Sequence, residues 1–228
     1  NAGVRLNKIG GNARMDLRRS DIVRAVGVKG SLDIKSGRGQ DVELENIEGQ
    51  VTVNGAFSGD LQFRNLAKPL RFESSQTELS VEKMPGQLRM ALGQVTAENL
   101  VGPVRLKTKS RDVVISDMSQ SLEVFVERGD LDIRPGKTPL GKMDLETRSG
   151  NIQMAIPQGA KFELSAVAKR GNVENEYGDP LRLAERGHGR DSGATLAGAV
   201  GQGPALKLTT GRGTITIRKG SETEAGRP

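Results

Sequence analysis

The sequence predicts an all-β fold: a single-stranded right-handed parallel β-solenoid (β-helix) of about ten coils, each of roughly 16–21 residues. Three observations predict it. Apolar–polar–apolar triplets recur in two interleaved series through nearly the whole chain, and a fixed period of that length is the mark of stacked repeats. Within each triplet the period is two, which is the period of a strand. Thirty glycines break the pattern into short pieces, and no helical stripe survives so many breakers.

The first series runs Leu32–Ile34, Val51–Val53, Leu70–Phe72, Leu88–Met90, Val104–Leu106, Leu122–Val124 and Met143–Leu145. Its step is nearly constant, shortest from Leu88 to Val104 and longest from Leu122 to Met143. The second runs Val23–Ala25, Val42–Leu44, Leu61–Phe63, Leu79–Val81, Val95–Ala97, Val113–Ile115, Leu131–Ile133 and Ile152–Met154. Residues 30–49 show one coil: Leu32 and Ile34 face inward, a polar Gly-rich turn follows, Val42 and Leu44 face inward again, and Ile47 makes a corner. The same template fits 51–66, 70–84, 88–100 and 104–118, and upstream Ala13, Met15, Val23, Ala25 and Val28. Each strand is expected to pair in parallel with its copy one coil later, and a right-handed path is the default for such connections.

The template loosens after Met118, where Pro135-Gly136 and Pro157 stand near the corner, and Phe162, Leu164, Ala166 and Val173 continue the strands. The domain is therefore expected to span 1–219, interrupted by a Gly-rich excursion at 179–203 with one short helical turn at Leu181 to Glu185. The strands return as Leu206–Leu208 and Ile215–Ile217, and residues 220–228 read as a disordered tail.

Composition narrows the function. Without cysteine there are no disulfides and no thiolate metal sites. A single histidine, His188, speaks against a His-based metal centre or catalytic dyad, and no cofactor is expected. The net charge is +6, but 34 basic and 28 acidic residues are interleaved, and five Phe, one Tyr and no Trp offer few stacking platforms. That pattern does not fit a specific nucleic-acid binder. No run of about 18 apolar residues spans a membrane, and no signal peptide is seen. The chain opens at Asn1 without an initiator Met, which suggests a mature or trimmed fragment with any tether outside it.

Four sets of residues invite a role. Gly59-Asp60, Gly129-Asp130, Gly150-Asn151, Gly171-Asn172 and Gly213-Thr214 precede the second strand; stacked carboxylates there suggest calcium, but the GGxGxD nonapeptide of calcium-binding rolls is absent, so the side chains are read as caps on their own turns. Asn46, Asn65, Asn99 and Asp117 precede corner hydrophobes and suit the left-handed backbone. Outward positions of the first strand place Arg71, Arg89 and Arg105 one coil apart, between Arg14, Asp33, Thr52 and Glu123, Asp144. A second basic line follows the turn edge through Lys109, Arg128, Arg148, Arg170 and Arg212. Like charges one rung apart repel unless they splay or meet an anion, so either row is a candidate site for an anionic ligand or a solvated face balanced by Asp and Glu. The stretch from Gly198 to Gly203 lacks the Lys-Ser or Lys-Thr of a phosphate loop.

The turns TRSGNIQM (147–154) and FSGDLQF (57–63), the late stretch NVENEYGD (172–179) and the closing PALKLTTGRGTITI (204–217) resemble the bacterial adhesin-like family of β-strand repeats, the toastrack domains. The resemblance covers roughly residues 4–219. It implies a non-catalytic solenoid, often tethered to bacterial membranes and facing outward, concerned with envelope sensing or adhesion. The expectation is an extracytoplasmic binding or scaffold module, in the periplasm or at the cell surface, whose partner is an envelope polymer, an anionic glycan or a protein. It is expected to be a monomer or to self-associate weakly. The alternatives are a self-assembling β-helical structural protein and, less well matched, a polysaccharide-processing β-helix enzyme.

Overall fold

A computed structural model describes residues 3–186 and 192–220. His188 and residues 221–228 lie outside the described residues. The chain divides into two compact units, residues 1–108 and 109–228. The described elements are all strands, and the winding makes about eight turns rather than about ten.

The first unit holds β1 (Val4–Ile9), β2 (Ala13–Leu17), β3 (Ser20–Val28), β4 (Leu32–Ile47), β5 (Val51–Phe57), β6 (Leu61–Leu66), β7 (Leu70–Glu73), β8 (Thr77–Ala91) and β9 (Gln94–Ser110). Up to β7 the expected parallel ladders form. Leu32 pairs with Val51 and Val51 with Leu70 on one face; Val23 pairs with Val42 and Val42 with Leu61 on the other. The inward positions are closed from solvent: Val23, Ile34, Leu44, Val51, Val53, Phe63 and Leu66 are all 0% exposed. Burying each such side chain contributes roughly 1.5–3 kcal/mol.

At β8 the winding reverses. Ser74 Oγ accepts the backbone N–H of Thr77 at 3.0 Å and folds the chain into a hairpin. Leu79 then lies antiparallel opposite Phe72, and Leu88 opposite Phe63. A second hairpin at Leu92-Gly93, with Gly93 at φ 79°, returns the chain along β9, antiparallel to β8 throughout. Leu79–Val81 therefore stacks on the first series and Leu88–Met90 on the second, the opposite of the expected assignment. The two triplets are halves of one reversed strand, which removes coils from the count. Two threonines close this level: Thr77 and Thr108 are buried and share a hydroxyl contact of 2.9 Å.

The second unit holds β10 (Asp112–Ser119), β11 (Leu122–Arg128), β12 (Leu131–Arg134), β13 (Met143–Ser149), β14 (Ile152–Ile156), β15 (Phe162–Ala168), β16 (Val173–Glu176), β17 (Arg182–Arg186), β18 (Gly193–Val200), β19 (Ala205–Thr210) and β20 (Ile215–Lys219). Its strands do not stack in chain order. Leu145 pairs with Leu208, and Leu208 pairs with Ala166; Met154 pairs with Ile217, and Ile217 with Asn175. The last winding, β19 and β20, thus lies between β13/β14 and β15/β16. The expected helical turn at 181–185 is a strand: β17 pairs antiparallel with β18, and β18 covers β15 in the same sense. Arg182 to Arg186 can be a strand because β18 supplies its partner, whereas an isolated helical turn of that length has no support. Gly220, assigned to the tail, donates its N–H to the Ile156 carbonyl at 2.7 Å.

Val53→Asp and Ile115→Asp each put a carboxylate into a closed apolar interior, and each is expected to cost more than about 4 kcal/mol in chemical denaturation. Truncation after residue 203 removes the winding that both β13/β14 and β15/β16 pair with. Hydrogen exchange is expected to lose protection across 143–156 and 162–176 together, whereas loss of an outermost winding deprotects one neighbour only.

Candidate functional site

The turn edge of the second unit is built from stacked glycines. Gly129, Gly150 and Gly213 have φ of 146°, 153° and 146°, a region that L side chains rarely adopt. A Cβ on Gly213 would lie 2.1 Å from the Gly150 carbonyl oxygen, so this edge admits only glycine. Thr147 and Thr210, each 0% exposed, satisfy the facing carbonyls: Thr147 Oγ1 donates to Gly129 at 3.1 Å and Thr210 Oγ1 to Gly150 at 2.9 Å.

Beside the glycines runs a column of acidic and amide side chains. Asp112 Oδ1 accepts the N–H of Asp130 at 2.9 Å, Asp130 Oδ1 that of Asn151 at 2.7 Å, and Asn151 Oδ1 that of Thr214 at 2.9 Å. In the first unit Asn12 serves Ser31 and Asp41 serves Asp60 in the same way. Each side chain caps the turn of the next winding rather than its own. One oxygen of each of these side chains is turned toward a backbone amide. The corner column matches expectation: Asn46, Asn65, Asn99 and Asp117 have φ of 56°, 47°, 53° and 48°, and Asn65 Nδ2 donates to Asn46 Oδ1 at 2.6 Å.

The arginine row of the first unit is not assembled as expected. Reversal of β8 puts Ser80 between Arg71 and Arg105 in the register, and moves Arg89 to the other ladder, between Gln62 and Thr96. There Arg89 Nη2 meets Asp60 Oδ2 at 2.5 Å. Three other outward positions meet an opposite charge one rung away. Arg14 lies 3.7 Å from Asp33, Arg24 3.2 Å from Glu43 and, in the second unit, Lys207 3.9 Å from Asp144.

The second basic line is only partly in register. Arg128 pairs with Ser149, while Gly150 donates to the Arg212 carbonyl and Gly213 to that of Arg170. Arg128, Ser149, Arg212 and Arg170 are therefore successive rungs of one edge, and all four side chains are exposed. Arg148 lies one residue back, with its guanidinium carbon 5.6 Å from the centre of the Phe125 ring. Arg111 enters at the level of Gly129, half-buried; loss of water holds its guanidinium below the usual arginine value, and its Nη1 has no partner.

A site that the triplet pattern does not mark lies on the turn edge of the first unit. A groove of about 480 Å³ runs between Arg19, Asp21, Arg38, Gln40, Phe57 and Ser58. Arg19 and Arg38 are separated by one coil period, and that coincidence was the available signal.

Compared with protein-family profiles, residues 23–218 match the family described as Toastrack DUF4097. No curated protein and no solved structure matches the chain significantly.

Asp130→Ala leaves the Asn151 amide without its acceptor and is expected to lower stability by about 1 kcal/mol in denaturant titration, while Asp130→Asn, which keeps Oδ1, holds most of it.

Proposed function

The chain belongs to the Toastrack DUF4097 family, and from that premise we propose that it is a non-catalytic binding or scaffold module of the bacterial envelope, working outside the cytoplasm with an adhesin-like role. One observation carries the reading. The interior is filled by aliphatic side chains, three phenylalanines and a few hydroxyls among the described residues, while ionisable groups are held on the outside at rung spacing by a backbone that fixes their order. Such a surface presents charge in a repeated pattern. The basic edge Arg128, Arg212 and Arg170 suits a polyanionic envelope polymer, which gains from each added cation along its length.

A second reading, end-to-end assembly, is favoured by the first unit, where among the described residues β1 pairs only with β3 and β2 only with β4. A one-sided strand is a template for another chain. Filaments in electron micrographs would select this reading, and a sharp monomer in light scattering would reject it.

On an array of envelope glycans and anionic lipids, the intact chain is expected to retain acidic polymers. Arg128→Glu plus Arg212→Glu is expected to reduce that retention at least tenfold and to flatten its salt dependence. Retention unchanged by the pair removes this edge from the reading, and no retention of any envelope component overturns it.

A further inference from the structure

We infer that the groove on the turn edge of the first unit is a binding site for an acidic oligosaccharide bearing carboxylates on its sugar rings. This rests on the binding-module reading and gives it a second, separate location. Four features meet in and beside the groove.

The first is charge. Ser20 pairs with Gly39, so Arg19 and Arg38 stand one rung apart, about 4.8 Å along the stack. Like charges also face each other at Arg5 and Arg24, but there Glu43 on the following rung takes up Arg24 at 3.2 Å. Here two cations are adjacent, and among the described residues neither makes an ion pair or a side-chain hydrogen bond. The arrangement is unfavourable when empty and is relieved by an anion reaching both.

The second is a break in the ladder. Between Ser36 and Gly39 the register of β4 against β5 slips: Ser36 faces Gly55 but Gly39 faces Phe57, so β4 carries an extra residue. A bulge of this kind re-aims side chains, and Arg38 lies within it.

The third is an aromatic wall. A Cβ on Gly39 would fall 2.6 Å from Phe57 Cδ1, so the ring rests against bare backbone at the groove floor. Phe72 braces it from behind, with ring centres 5.8 Å apart.

The fourth lies behind Gly39 and does not line the groove: an unsatisfied buried hydroxyl. Ser36 is 6% exposed, its Oγ has no partner, and that oxygen is 3.2 Å from the same Gly39 Cβ position.

Together these supply what a sugar acid asks for. Guanidinium groups bind carboxylates with two parallel N–H donors. The Phe57 ring offers an apolar wall to the C–H face of a pyranose, and Gln40, Asp21 and Ser58 can exchange hydrogen bonds with its hydroxyls. A bilayer is flat and does not reach a recessed floor. A single-stranded nucleic acid relies on several stacking rings, and this groove has one. A free inorganic anion would use the arginines and leave the ring and amide idle.

The experiment titrates the intact chain with a galacturonate oligomer, its fully methyl-esterified form, oligoglutamate, inorganic phosphate and anionic lipid vesicles, following amide resonances and heat. The galacturonate oligomer is expected to shift the amides of Gly39, Gln40 and Ser58, and the methyl ester to lose at least tenfold in affinity. Arg19→Ser plus Arg38→Ser is expected to lose at least tenfold, and Phe57→Leu several-fold, with an unchanged unfolding midpoint for the exposed arginine pair. Equal binding of oligoglutamate, phosphate or vesicles overturns the proposal, because charge alone then suffices. Resonance shifts confined to other residues overturn it even where a variant fails to fold. Oligomer binding that survives the arginine pair but is lost with Arg128→Glu plus Arg212→Glu sinks the groove and leaves the binding module intact. Binding that survives both pairs sinks the groove and removes the basic edge from the reading, whereas binding absent from every envelope component sinks both.

Discussion

Everything in both units depends on one backbone condition: a peptide N–H must find a carbonyl about one winding away, with side chains aimed alike on both. Val51 donates to Pro69, Leu32 to Gln50 and Leu131 to Asn151, in each case one winding further along the chain. Once a position is copied from winding to winding, its environment is copied too, and the same residue type solves the same problem repeatedly. Glycine sits where a Cβ would strike the carbonyl of the next turn. Asparagine or aspartate sits where the corner needs a left-handed backbone. Threonine sits where a carbonyl inside the wall needs a donor. The stability of each winding is then coupled to that of its neighbours, as in repeat proteins generally.

Those copied positions were legible because their chemistry is local. Leu44, Val53, Phe63 and Ile115 are identified as interior by alternation alone, and Asn46 and Asn65 by the backbone they must adopt. Direction was not legible. An apolar–polar–apolar triplet reads the same from either end, so Leu79–Val81 and Leu88–Met90 fit a forward coil as well as a reversed one. The clues that distinguish them lie between the triplets: the Ser-Ser-Gln stretch after Glu73, where Ser74 caps a hairpin, and Leu92-Gly93, a two-residue turn of the kind that joins antiparallel strands. The order of windings in the second unit was equally hidden, because Leu145, Leu208 and Ala166 present similar faces and nothing in the chain says which is next to which.

The same two features explain the fate of the arginines. Arg71, Arg89 and Arg105 form a row only if every strand runs forward, and reversal of one strand separates them. Arg19 and Arg38 keep the coil period but sit in a turn, where the triplet pattern has no members, and the bulge that opens the groove beside them has no sequence signature of its own. What the periodicity gives is the scaffold. The places where charge is left unpaired arise where the scaffold departs from its repeat.

The winding that fills the middle of the second unit leaves the ribosome after both of the windings it separates. Residues 143–176 emerge with a slot between them one strand-pair wide, lined on both sides by unpaired amides and carbonyls, and it stays open until 205–219 arrive. Synthesis from the N-terminus therefore cannot grow this half turn by turn, as a simple solenoid allows. The nascent unit must wait, holding a gap whose natural occupant is the segment 205–219, and any other extended peptide nearby competes for that place during the delay.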